Sequence, residues 1–527
     1  MPPSLSRDDT AAVARETIDM DVHFDNSYAR ELDGGYVRQL PAEVPAPRML
    51  RFNHALADEL GLDAARLNSA LGARIFAGNA LPAGADPLAQ AYAGHQFGGF
   101  SPQLGDGRAL LLGELIDRHG QRRDLALKGS GRTTFSRGGD GKAALGPVLR
   151  EYLMGEAMRA LGIPTTRALA AVATGEPVYR ERALPGAVLT RVAASHLRVG
   201  TFQFFAARGQ YAFIERLLEY TIARHDPDLA GSENRALGLL EAVARRQAAL
   251  IAEWMRVGFI HGVMNTDNMS ISGETIDFGP CAFLEAYDPA TVFSSIDHGG
   301  RYAFGNQPHL ARWNLARLAE TLLPLIDADN ERAIARATEI VDAFPAWFED
   351  RWQTMLRAKL GLGAEMAGDP TLTADWLGLL QAAEIDYTLG WRALIGEIAS
   401  APASGLAGAD TRGGGPGALT TLFANADPDI RARLTAWLQR WHARRALENI
   451  RPAQQAERMR QVSPAVIPRN HRVEQALAAA VDDDDLAPFD RLLQALASPY
   501  DDRAEFAQYR EPAARELTAR YQTFCGT

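Results

Sequence analysis

The stretch His261–Cys281, HGVMNTDNMSISGETIDFGPC, decides how the chain is read. Two acidic side chains, Asp267 and Asp277, stand ten residues apart in it. Between them Met269, Ile271 and Thr275-Ile276 alternate around a Ser-Gly-Glu turn, which predicts a short β-hairpin. Such a hairpin would set Asp267-Asn268 at its entrance and Asp277 just past its exit. Oxygen-bearing side chains gathered in this way suit a hard divalent cation such as Mg²⁺.

Asp277-Phe278-Gly279 is also the tripeptide with which protein kinases hold Mg²⁺. In that signature a catalytic aspartate precedes the metal-binding asparagine by about five residues. With Asn268 as the asparagine, the position falls on Val263, which cannot accept a proton. Asp267 is the nearby carboxylate that could take over. The stretch therefore reads as a kinase metal site without ordinary kinase chemistry, against the plainer reading of a loop and hairpin.

The chain upstream supplies what such a site needs. Ala93–Arg108, AGHQFGGFSPQLGDGR, is dense in glycine, and such loops let a backbone approach phosphates closely. Gly105-Asp106-Gly107-Arg108 leads into the predicted strand ALLLGELI, then a His119-Gly120 turn and the strand RRDLALK, which ends in Lys128. A helix is predicted over Gly146–Leu161, with Pro147 in its first turn. Glu151 and Glu156 on it are both candidates to pair with Lys128, and Glu151 is preferred. The intervening GSGRTTFSRGGDGKA adds Arg132, Arg137, Asp140, Gly141 and Lys142, a donor-rich loop suited to phosphate. Two further strands, 166–175 and 186–195, bring in Arg191 and then Arg198.

From about Gly200 the spacing is helical, and Trp313, Leu315, Leu318 and Leu322 read as a core stripe. The expected fold is α+β and protein-kinase-like, with a small β-rich N-lobe, a large helical C-lobe and extensions at both ends. The expected division is 1–85 as an N-terminal extension, 86–200 as the N-lobe, 201–500 as the C-lobe and 501–527 as a tail. Within the extension Arg51–Leu60 reads as helix. Ala401–Ala418 reads as a flexible Gly/Ala/Pro loop.

Composition sets outer bounds. The 527 residues are 47% hydrophobic and 23% charged, ordinary for a globular protein. A balance of 55 basic to 65 acidic residues, net −10, argues against general nucleic-acid or anionic-membrane binding. No apolar run reaches the roughly 18 residues that span a bilayer, and the N-terminus lacks a secretory pattern. A cytoplasmic monomer is expected. Two cysteines, Cys281 and Cys525, exclude a disulfide scaffold. They are either unrelated thiols or a redox-sensitive pair tying the tail to the 261–281 loop.

Taken together, YAGHQFGGFSPQLGDGRA, LALKGSG, FSRGGDGKA, LGIPTTRALA, HGVMNTDNMSISGETIDFGPCAF and RYAFGNQPHLARWNLARLAETL resemble the selenoprotein O family. The resemblance runs from about residue 20 to the C-terminal tail. It implies a kinase-like fold that binds ATP in a flipped orientation and transfers AMP to Ser, Thr or Tyr hydroxyls of proteins, with a protein kinase or an inactive nucleotide-binding scaffold as alternatives. It implies nucleotide contacts from Gly105, Gly107, Arg108, Lys128, Asp140, Gly141, Arg191, Arg198 and Asp277, with Lys128 paired to Glu151. Asn268 and Asp277 would hold Mg²⁺ or Mn²⁺, and Asp267 would take the proton of the acceptor hydroxyl. A redox-active tail is also implied, with Cys525 in position to pair with Cys281. Arg132 and Gly146 depart from the family's expected residues beside these motifs.

Overall fold

A computed structural model of the chain describes residues 15–399 and 417–524. Its fold is α+β. Among the described residues one antiparallel sheet runs Tyr36–Arg38, Leu88–Gln90, Ala109–Ile116, Arg122–Lys128, Ala183–Ala193, Arg167–Tyr179, Arg48–Phe52, and Ala143–Ala144 adds a short pairing to Ala183–Ala193. Strand alternation sorts its side chains between two faces. Leu125, Leu127, Val188 and Val192 enter one core with Leu56 and Phe76. The residues between them, Ala126, Lys128, Leu189 and Arg191, face the other way. The register sets Lys128 opposite Leu189 and Arg191 opposite Ala126.

The Leu145–Ala160 helix packs on this second face, burying Leu149, Leu153 and Met154. Helices Asn470–Asp482 and Ala487–Leu496, grouped with the helical region in the sequence reading, pack on it too. The helical body is built from Arg235–Val257, Gln307–Ile326 and Asn330–Lys359, which pack against one another. Gly258, at φ 77°, ends the first of these in the left-handed region that favours glycine. The chain then enters Phe259–Ile260, which pairs with Ala282–Phe283 and so closes the 261–281 stretch at its two ends. No helix among the described residues is long and apolar enough to cross a membrane.

Several expectations change. The hairpin predicted between Asp267 and Asp277 does not form. Thr266–Asn268 is a 3₁₀ turn, Ser270 bridges to Arg198 and Thr275 bridges to Thr165. The alternating residues do seek strand partners, but find them outside: Ile271 N donates to Leu197 O, and Thr275 N to Pro164 O. Arg51–Leu60 is not one helix, because Arg48–Phe52 is a strand and the helix begins at His54, capped by the Asn53 side chain on Leu56 N. Residues 36–38 and 48–52, assigned to an extension, are strands of the central sheet. Leu315, Leu318 and Leu322 are buried, whereas Trp313 is only half-buried and lies off that stripe. The Ala401–Ala418 loop falls outside the described residues except for its last two positions.

A buried ionic cluster ties the sheet to the Tyr211–His225 helix. Arg224 donates to Glu114 at 2.5 Å and to Asp124 at 2.6 Å. Tyr220 Oη donates to Glu114, and the His196 ring lies 2.8 Å from Asp124. Removing the cation would leave two buried carboxylates uncompensated. Arg224→Met should therefore cost about 3–5 kcal/mol, read as a lowered urea midpoint; an unchanged midpoint would show the cluster to be dispensable.

Candidate active site

The cleft between the sheet and the 261–281 loop is a cavity of about 1020 Å³. Every residue singled out above for nucleotide, metal or proton transfer lines it: Gly105, Gly107, Arg108, Lys128, Asp140, Gly141, Glu151, Arg191, Arg198, Asp267, Asn268 and Asp277. Cys281 does not. Ten Lys and Arg against seven Asp and Glu line the cavity, in a chain where acids outnumber bases. The cleft is thus electropositive against the rest of the molecule, as an anionic ligand requires.

At its floor four charges meet. Lys128 Nζ lies 2.6 Å from Glu151 Oε2 and 2.6 Å from Asp277 Oδ1. Arg191 reaches the same two carboxylates, each at 2.5 Å. Glu156, the other helix glutamate, instead pairs with Arg167 at 2.8 Å. Burial alone would raise the Asp277 pKa, but Arg191, Lys128 and Arg198 outweigh it and hold the carboxyl well below its ordinary range. Asp277 sits at φ 63°, so the backbone turns sharply to deliver it. Its Oδ2 is 3.9 Å from Arg198 and remains free to face the cavity.

Arg198 is buried, with its guanidinium 4.4 Å from the Tyr92 ring and 3.8 Å from Asp106. Its Nε has no partner. Asp140 is held by Arg180 at 2.8 Å and accepts from Lys142 N. Gly105 and Gly141 both have positive φ, and a β-carbon on them would come within 2.2 Å of Phe135 and 2.1 Å of Gly131 O. Only glycine fits there. Arg108 has no ion pair among the described residues.

Asp267 differs from Asp277 in every respect. Burial pushes its pKa up to about 6. Gln96 Nε2 donates to Oδ2 at 3.0 Å, while Oδ1 is buried without a partner. A carboxylate that keeps one oxygen unsatisfied and its proton affinity high is suited to accept a proton. Asn268 lies beside it, its amide donating to Val263 O at 3.0 Å. Val263 itself lines the cavity.

Sequence reasoning missed the element that holds Asp267. The segment read as a phosphate-type loop contains a hairpin, Gly94–Gln96 paired with Gly99–Ser101. Its residues clamp the 3₁₀ turn: His95 N donates to Thr266 Oγ1, Gln96 to Asp267 and Phe97 N to Asn265 Oδ1. A β-carbon on Gly94 would stand 2.6 Å from Asp267 Oδ1. The glycine count was visible in the sequence, but its partner lies 171 residues away in the case of Gln96. Cys281 is buried, its thiol donating to Phe278 O at 3.2 Å, and burial pushes its pKa up to about 11. Cys525 lies outside the described residues.

Comparison with known proteins extends over nearly the whole chain. A family model described as protein adenylyltransferase SelO matches residues 20–497. A protein nucleotidyltransferase YdiU of Chromobacterium violaceum is 59% identical over 488 residues, covering 92% of this chain and 98% of the relative. Its counterpart in Cereibacter sphaeroides is 59% identical over 509 residues, 96% and 100% of the two chains. The one in Rhizobium rhizogenes is 56% identical over 506 residues, 96% and 97%.

Gly94→Ala should displace the Asp267 carboxylate and lower turnover by about tenfold or more, the equivalent of roughly 1.4 kcal/mol in the barrier. Undiminished turnover with an intact thermal transition would mean that Asp267 need not occupy this position.

Proposed function

The chain belongs to the SelO family of protein adenylyltransferases and uses ATP as its substrate; on that premise we propose how its cleft transfers AMP. The overall plan is kinase-like, with the β layer and the helical body as two lobes about a nucleotide cleft. The nucleotide lies flipped, so that its α-phosphate faces Asp277 and its γ-phosphate points toward the arginines of the glycine-rich loops. The observation that carries this reading is Asp267, which lines the cavity with an unpartnered Oδ1, while Val263, on which the sequence spacing of a kinase base falls, cannot accept a proton.

Asp267 takes the proton of a Ser, Thr or Tyr hydroxyl on a protein substrate. The hydroxyl oxygen then bonds to the α-phosphorus as the bond to the bridging α–β oxygen breaks, and pyrophosphate leaves. Lys128, Arg191 and Arg198, which line the same cavity, would neutralise the charge that builds on the phosphate oxygens. Glu151 fixes Lys128 and Arg191 by pairing with both. Gly105, Gly107 and Gly141 let the backbone close on the phosphates, while Arg108 offers an uncommitted cation.

The residues present fit Mg²⁺ or Mn²⁺. Asp277 Oδ2 and Asn268 offer hard oxygen donors in one cavity, and Mg²⁺ takes one or two protein ligands with the remainder from phosphate and water. When bound, the ion would neutralise phosphate charge and orient the leaving group.

The test is a transfer assay with ATP labelled at either the α- or the γ-phosphate. Label should reach protein from the α-position only, with pyrophosphate released. Label from the γ-position only would make the protein a kinase and overturn the flipped nucleotide; none from either would leave a nucleotide-binding scaffold. Asp267→Ala should keep Mg·ATP binding but lose about 10²–10⁴ of the transfer rate. Asp277→Asn, which preserves shape and tolerates the left-handed backbone, should lose metal-dependent nucleotide binding; full binding by that variant would remove Asp277 from the metal site.

A further inference from the structure

The hairpin that clamps Asp267 does more than the clamp requires. Phe97 in its turn and Phe100 in its second strand are 41% and 42% exposed, although large aromatic side chains are ordinarily well buried. Phe97 packs edge-on against Tyr302 and also lines the nucleotide cavity. Phe100 packs on the His95 ring at 4.8 Å. Phe97 thus joins the exposed apolar surface of the hairpin to the cavity that Asp267 lines.

Two guanidinium groups flank this ledge. Arg301 lies 4.9 Å from the Trp313 ring and against Gly98 at the hairpin turn. Arg208 donates to Pro102 O, just past the end of the hairpin, and stacks on Phe204. Among the described residues neither has a carboxylate partner, whereas Arg317, which shares the Trp313 ring with Arg301, pairs with Glu320 at 2.7 Å. Aromatic faces carry both cations without neutralising them, so positive charge is kept on a chain whose net charge is −10.

Apolar area beside uncompensated positive charge fits one kind of occupant. Resting on the adenylyltransferase reading, we infer that this hairpin is the acceptor-docking ledge, taking an extended protein segment that carries a large apolar side chain and a carboxylate beside the hydroxyl that receives AMP. The hydrogen bonds from His95, Gln96 and Phe97 to three consecutive residues of the catalytic turn fix the ledge relative to Asp267. A segment held on the ledge thereby has its hydroxyl registered to the base, the positioning on which such a reaction depends.

The test uses the full chain, α-labelled ATP and a peptide library with a fixed central Ser, Thr or Tyr and randomised flanks. The unmodified chain should label peptides with aromatic or aliphatic and Asp or Glu flanks about tenfold better than those with Lys or Arg flanks. Phe100→Ser should erase the apolar preference and Arg301→Glu should invert the charge preference, each leaving the Mg·ATP affinity unchanged. Arg208→Glu repeats the charge test should Arg301→Glu lose its cooperative thermal transition. The proposal is overturned by the absence of any flank preference, by a preference that survives these substitutions, or by labelling of folded proteins with no labelling of peptides. Label from γ-labelled ATP alone would instead sink the adenylylation reading, whatever the flanks prefer.

Discussion

The rest of the structure depends on the four-charge cluster of Lys128, Glu151, Arg191 and Asp277. Its members come from two adjacent strands, one helix and the 261–281 loop, so it is where three separately folded pieces are brought into one geometry. None of the four is more than about a quarter exposed. Removing any one would leave a buried charge without its counter-charge, which costs far more than the intact cluster contributes. Such a cluster is weak as a source of stability and strong as a specification: the helix and loop must arrive in register or the charges go unpaired. Asp277 arrives on a left-handed backbone that side chains rarely adopt, and the attraction of three cations offsets that strain.

The same arrangement sets the contrast between the two aspartates. Asp277 is surrounded by cations, which hold its carboxyl ionised. Asp267 is shielded, has one amide donor, and keeps a raised proton affinity. Two carboxylates in one cavity have been pushed apart in character by their neighbours, the usual way a site divides acid–base work from charge binding. Gly94 permits this, since a β-carbon there would crowd Asp267 Oδ1, whereas one on Gly200 would strike Ala93 O in the neighbouring segment.

Much of the floor of the site was legible in the sequence because it is written in local periodicity. A strand that alternates apolar and polar residues must put Lys128 on the face opposite Leu127, and a helix following a glycine-rich loop carries Glu151 one and a half turns in. The hairpin between Asp267 and Asp277 was misread for a related reason. Period-two alternation announces an extended segment but does not say with which strand it pairs, and here the partners are Leu197–Arg198 and Pro164–Thr166. The Gly94–Ser101 hairpin has the glycine composition of a phosphate loop, and its engagement with Thr266 and Asp267 is a contact between distant segments that no local pattern encodes. Trp313 fell off the core stripe because its ring is taken up by Arg301 and Arg317 instead.

The tight turn at Thr266–Asn268 resolves the puzzle posed by Val263. In a 3₁₀ turn successive side chains diverge by about 120°, so adjacent residues can serve different clients. Asp267 is turned toward the Gly94–Ser101 hairpin and Gln96, while Asn268 is turned back over Val263 O. The two side chains can thus face different ways without a longer loop between them. Asp267 thereby meets the Gly94–Ser101 hairpin, whose Gln96 donates to its Oδ2. The carboxylate thus stands at 267 and not at 263, and 267 is the position that the Gly94–Ser101 hairpin, with its exposed Phe97 and Phe100, engages.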